Sequence, residues 1–177
     1  MKKYALLTAC LLFSILGFAQ KEHLTFMGIP LNGTITQFQA KLQNKGIRHD
    51  VQLSRLIPSG CRAFKGIFAG EDSDIFIYYN EKTKQVYRAK AAITVDGENL
   101  VKRKYEEFKE LLKNKYLCIE EDGKNNGYNQ SLFISTGGTV AIYITKNEYV
   151  YEQYSLHIDY EDAANSTSNE QRKMDDL

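Results

Sequence analysis

The chain has 177 residues, with 23 Lys and Arg against 22 Asp and Glu. So even a balance gives no electrostatic footprint for a nucleic acid. The length suits one ordinary domain, or two small repeated units sharing a sheet.

The first element is a leader. Lys2 and Lys3 precede a nearly uninterrupted apolar run from Ala5 to Phe18, and Gly17 and Ala19 are small residues at the cleavage positions. This is the tripartite form of a secretory signal, expected over 1–19. Cleavage near Ala19 removes two lysines and leaves 21 basic against 22 acidic residues, a balance of −1. The apolar run is too short for an ordinary membrane span, so the mature chain is expected to be periplasmic or secreted, without a span. The tetrad "LTAC" at Leu7 to Cys10 has the form of a lipoprotein signal. Only five apolar-run residues precede Cys10, and apolar sequence continues beyond it, which favours simple secretion.

The body of the chain reads as a single α+β domain over 20–160, with possible sub-units at 22–97 and 98–160. A brief strand around His23 to Met27 leads into "FMGIPLNGT". Pro30 restricts Ile29 to extended backbone, and Asn32-Gly33 supplies a turn that releases Thr34 as a helix cap. Thr34 with Gln37 has capping-box spacing, and Ile35, Phe38 and Leu42 fall on one helical stripe. A helix is therefore predicted from about Ile35 to Lys45, with Gly46 as its stop. Three strands follow in "CRAFKGIFAG", "SDIFIYY" and "VYRAKAAITV", joined tightly as a meander.

From Asn99 the period changes. Val101, Tyr105, Phe108 and Leu112 recur at helical spacing, and Asn99 is a candidate cap. A second strand set comes next: "YLCIEED", "QSLFIST", "TVAIYITK" and "YVYEQYSLHIDY", with a hairpin at Gly137-Gly138. The segment 161–177 has almost nothing apolar to bury and is predicted to be a disordered tail. Two helices cannot cover both sides of such a sheet. Both are expected on one face of a mainly antiparallel sheet, in two helix-plus-three-or-four-strand units.

The "GIPLNG" element, Gly28 to Gly33, followed by "TITQFQAKL" and Gly46, resembles that of small exported proteins of Bacteroidetes with a G-I-P-[LI]-[DN]-G element. The resemblance covers roughly residues 24 to 46 and implies export, with no catalytic residue to carry over. The helix-then-antiparallel-sheet order also resembles the β-lactamase inhibitor protein and SmpA/OmlA-like domains, which implies a binding or inhibitory module.

Eleven tyrosines remain after the leader and tryptophan is absent. Apolar groups occur on both faces of several strands, so the uncovered face is expected to carry Phe76, Tyr78, Tyr143, Tyr149 and Tyr151 as an interaction surface. Cys61 and Cys118 are either a disulfide closing a loop of 57 residues, contributing about 4 kcal/mol on a chain-entropy basis, or two separate buried thiols. His23, His49 and His157 have no short-range metal spacing, and Asp122-Gly123-Lys124 breaks the calcium-loop pattern, so no metal or cofactor is assigned. Nor is there a nucleophile elbow or a zinc-protease helix. The leading expectation is a non-enzymatic module that binds an envelope protein or glycan. The alternative is a small secreted hydrolase with a site assembled in space from residues such as His157 and Asp159.

Overall fold

A computed structural model describes residues 22–125 and 127–168. The leader expected over 1–19 and the tail beyond 168 lie outside these residues.

The chain begins with a miniature hairpin. Strands β1 (Thr25–Phe26) and β2 (Ile29–Pro30) pair antiparallel, with Phe26 opposite Ile29. Met27 and Gly28 form the turn and both have positive φ, 52° and 73°. Positive φ at both central residues is the requirement of a type I′ turn, whose twist matches that of the flanking strands. The expected single strand therefore doubles back on itself. Gly33, at φ 72°, then turns the chain toward the first helix.

Helix α1 (Ile35–Gln43) starts at the predicted capping box: Thr34 N donates to Gln37 Oε1 (3.0 Å) and Gln37 N to Thr34 Oγ1 (3.4 Å). Its buried side chains are the predicted Ile35, Phe38 and Leu42. A short helix α2 (Val51–Leu56) adds to the expected elements. It is capped by Asp50, which accepts from Leu53 N at 2.9 Å, and it buries no side chain fully. Helix α3 (Glu98–Lys113) buries Val101, Tyr105, Phe108 and Leu112 as predicted, but its N-cap is Gly97 at φ 94° and not Asn99.

The main sheet contains β3 (Arg48–His49), β4 (Cys61–Phe68), β5 (Glu71–Tyr79), β6 (Val86–Asp96), β7 (Leu117–Asn125), β8 (Tyr128–Ser135), β9 (Gly138–Lys146) and β10 (Gln153–Asp162). The spatial order is β3-β4-β5-β6-β10-β9-β8-β7, with every neighbouring pair antiparallel. Two meanders, each preceded by a helix, thus meet through their last strands. At this seam Leu156 lies opposite Ile93 and Ile158 opposite Ala91. The fold is α+β, dominated by one large antiparallel sheet.

Period-two geometry separates the side chains of each strand into two sets. Phe64, Ile75, Ile77, Ala91, Ile93, Val140, Ile142, Leu156 and Ile158 are buried in one continuous core, which also holds the apolar stripes of α1 and α3. Phe68 stacks on Phe26 (5.3 Å between centroids) and on Phe108 (6.5 Å), joining the N-terminal hairpin, β4 and α3.

One expectation changes at this level, and the alternative left open for the two cysteines is resolved. Residues 161–168 are part of the fold: β10 runs to Asp162, and a helical turn follows over 163–168. Asp162 Oδ2 accepts from Leu24 N (2.9 Å) and lies 3.0 Å from His23 Nδ1, while Asn165 Nδ2 donates to Leu31 O (2.7 Å) and Val86 O (3.0 Å). Polar side chains anchor this segment, so its lack of apolar residues does not leave it disordered. Cys61 and Cys118 are both free thiols. They sit on β4 and β7, six strand spacings apart in the sheet order. At about 4.8 Å per spacing this separation is several times the span of a disulfide.

Candidate functional site on the second sheet face

The strand residues of opposite parity form a second face, where aromatic rings alternate with charges. Across neighbouring strands Tyr78 is opposite Arg88, Phe76 opposite Lys90, Lys90 opposite Asp159, and His157 opposite Tyr143. Directly opposed side chains share a face, so these pairs are in contact range.

Arg88 and Asp159 are the electrostatic centre. Arg88 Nε donates to Asp159 Oδ1 at 2.8 Å, and a second guanidinium nitrogen donates to Oδ2, giving a bidentate pair. Asp159 is only 6% exposed. The Arg88 guanidinium also lies 5.0 Å from the Tyr78 ring centroid.

Lys90 is placed differently. Its Nζ lies 5.2 Å from the centre of the Phe76 ring, and among the described residues no side chain forms a hydrogen bond or ion pair with it. Burial pushes the Lys90 ammonium below its ordinary range; Asp159 opposes that shift and Arg88 adds to it.

His157 stacks on Tyr143, with centroids 4.8 Å apart and planes 24° apart. Its Nε2 is 2.8 Å from Thr145 Oγ1, and its buried Nδ1 has no hydrogen-bond partner among the described residues. Burial, and then the Lys90 charge, lower the imidazole to about 4, so it is neutral at physiological pH. The Tyr143 and Tyr78 hydroxyls are each pushed up to about 12, mainly by burial.

Toward one end of this face lies a cleft of about 560 Å³, within the usual range for small-ligand sites. Ile57 and Pro58 form one wall, Phe76 and Tyr78 another, and Cys61 and Lys90 also line it. Tyr87 joins them through an irregularity: Tyr78 pairs with Arg88 but Tyr79 pairs with Val86, which leaves Tyr87 as the extra residue of a bulge. A bulge re-aims side chains against the alternation of the strand. The Cys61 thiol is held up at about 11 by burial, so it stays protonated.

Of the aromatics expected on the interaction surface, Phe76 and Tyr78 meet in the cleft, and Tyr143 lies on the same face against His157. Tyr149 and Tyr151 are elsewhere. They stand on the β9–β10 turn, 93% and 89% exposed, not on a strand. Asn147 Oδ1 shapes that turn by accepting from Tyr149 N (2.9 Å) and Val150 N (3.2 Å). Sequence reasoning missed Lys90, Tyr87 and the Ile57-Pro58 wall as site residues and named Cys61 only for a disulfide. One signal was available: Arg88, Lys90, Thr94 and Asp96 share a parity in β6, so the polar residues of this strand fall on a single face.

His157 and Asp159 share the second face as the hydrolase alternative requires. Both Asp159 oxygens are held by Arg88, and among the described residues no carboxylate hydrogen-bonds the imidazole. His49 Nε2 lies 3.1 Å from Ser54 Oγ, but that hydroxyl bonds to Ala63 N and Ala63 O, bracing α2 against β4. Neither histidine forms the nucleophile, base and orienting acid of a triad among the described residues. Among the described residues no group of three or more His, Cys, Asp or Glu side chains converges as a metal site, and no helix is long and apolar enough to cross a membrane.

No family model, curated protein or solved structure matches this chain.

Proposed function

We propose that the protein is an exported, non-enzymatic interaction module. In this reading α1 and α3 both back one face of the sheet, and the second face binds a protein or an envelope polymer. The observation that carries it is the cleft, where Phe76, Tyr78 and Tyr87 converge on the second face beside Lys90. Aromatic rings with polar tips, grouped in a concavity with a cation, are the features of recognition sites. Export rests on the leader-like residues 1–19. The exposed Tyr149 and Tyr151 offer a further contact point, because Asn147 preorganises their turn.

The test is position-specific photocrosslinking in the producing cells. A benzophenone side chain is placed at Tyr78 in the cleft or, as control, at Glu107 on the exposed side of α3. The expected result is a discrete adduct from position 78 that position 107 does not give. The same adducts from both positions would overturn the reading.

A further inference from the structure

The geometry points to the cleft as a binding site for an amphipathic monoanion, a carboxylate carried on an aromatic or apolar body. This inference rests on the second face being the binding surface and names the chemistry its cleft accepts. The walls are apolar: Ile57, Pro58 and the Phe76 ring can enclose a flat hydrocarbon body. Three of the groups that line the cleft beside them are donors, the Tyr78 and Tyr87 hydroxyls and the Lys90 ammonium. The Tyr78 and Tyr87 hydroxyls are both shifted up, chiefly by burial, so each keeps its proton, and neither has a hydrogen-bond acceptor among the described residues. Lys90 adds an ammonium that lies over the face of Phe76 and has no hydrogen bond or ion pair among the described residues. Donors without acceptors call for a ligand that brings the acceptor.

Charge selects a monoanion over a dianion. Arg88 is committed to Asp159 by two hydrogen bonds and Lys82 at the rim is itself engaged, which leaves Lys90 as the cation to be neutralised. Asp159 stands opposite Lys90 across the seam and Glu81 lines the rim, where its Oε1 accepts from Ser59 Oγ at 2.8 Å. A second negative charge on the ligand would meet these carboxylates. Cys61, a buried protonated thiol, contributes volume and not charge.

The test uses the folded protein and paired probes observed by ¹⁵N–¹H NMR titration. 2-Naphthoate and 2-naphthamide share a body and differ in charge; an acetylated Gly-Gly-Phe peptide, with a free or an amidated C-terminus, asks whether the carboxylate belongs to a chain end. Inorganic phosphate, held above its second pKa so that it is mostly the dianion, is the charge control. Expected are saturable shifts at Cys61, Phe76 and Lys90 with a carboxylate probe, affinity at least about 10-fold weaker for its amide, and no effect of phosphate at the same sites. Lys90→Met should bring the carboxylate down to the level of its amide. Equal affinity for acid and amide, shifts that map away from the cleft, or phosphate competing at the cleft would overturn the proposal. The acid–amide comparison needs no variant, so it decides the matter even where Lys90→Met does not fold. If the carboxylates fail while Tyr78 still crosslinks specifically, the ligand class falls and the interaction module stands. If they bind while Tyr78 and Glu107 crosslink alike, the reverse holds.

Discussion

Gly137 packs directly against the backbone of Leu24: a Cβ at position 137 would stand 2.5 Å from Leu24 N and 2.7 Å from the carbonyl carbon of His23. These are main-chain atoms tied down on the other side by Asp162, so they cannot swing aside. Gly137→Ala is expected to destabilise the fold by roughly 1–3 kcal/mol, the usual cost of overpacking. Urea unfolding with an unchanged m-value and a lowered midpoint would show it. An unchanged midpoint would mean that the N-terminal segment does not lie there.

Asp162 holds the two ends of the described chain together. Its carboxylate takes Leu24 N on Oδ2 and Asn165 N on Oδ1, each at 2.9 Å, and is fully buried. Asp162→Ala leaves two buried amides unsatisfied, at a cost of roughly 2–4 kcal/mol. Hydrogen exchange should report it locally, with protection lost at Leu24 and Asn165 before β5 or β6 is affected.

His157 makes stability depend on pH. Its folded value of about 4 lies below the ordinary 6.5, so between these pH values the unfolded chain binds the proton that the folded chain refuses. Stability from this group is complete above about pH 6.5 and is lost progressively as the pH falls toward 4, amounting to about 3 kcal/mol. Denaturant midpoints measured from pH 7 to pH 4 should fall more steeply for the native protein than for His157→Gln. Parallel slopes would contradict the burial assigned to this ring.

Lys109 is 4% exposed, yet its partners are more open to water. Nζ lies 2.7 Å from Glu106 Oε2 and 3.0 Å from Asp122 Oδ1. Removing the buried charge differs from removing a partner. Lys109→Met keeps the stem and is expected within about 1 kcal/mol of the native stability. Asp122→Ala withdraws a partner from a buried ammonium and places alanine at φ 53°, for a loss of roughly 2–3 kcal/mol. Thermal melts of the two variants should rank in that order.

The thiols give a chemical check on the topology. Cys118 is partly exposed, while Cys61 is buried and held at about 11. Maleimide at neutral pH should label Cys118 well before Cys61, and non-reducing peptide mapping should find no Cys61–Cys118 crosslink.

Helix positions are legible in the sequence because they depend on neighbours along the chain. The Thr34 and Gln37 cap and the Val101, Tyr105, Phe108 and Leu112 stripe each reside within a few turns. The strands of both meanders are legible for the same reason. The seam between β6 and β10 is not, since it joins Ala91 to Ile158 and no local pattern encodes such a pairing. Helix α2 escapes because polar groups, the Asp50 cap and the Ser54 hydroxyl, anchor it and not an apolar stripe. Phe76 and Tyr78 can be placed on one face by alternation, whereas Tyr87 reaches the cleft through a bulge that breaks the alternation. The terminal segment around Asp162 and Asn165 has the composition of an unfolded tail because hydrogen bonds, unlike hydrophobicity, leave no periodic trace.

The β6–β10 seam also bears on how the chain is made. During synthesis from the N-terminus, β4, β5 and β6 are finished before Gln153–Asp162 emerge, so one edge of the eleven-residue β6 waits for its partner. An open edge of that length is a template for pairing with another nascent chain. Arg88 and Lys90, which give the second face its charge, lie on this strand, and charges of this kind oppose premature pairing. Exchange of β10 between two chains is the misassembly this topology invites, and a concentration-dependent swapped dimer is its signature.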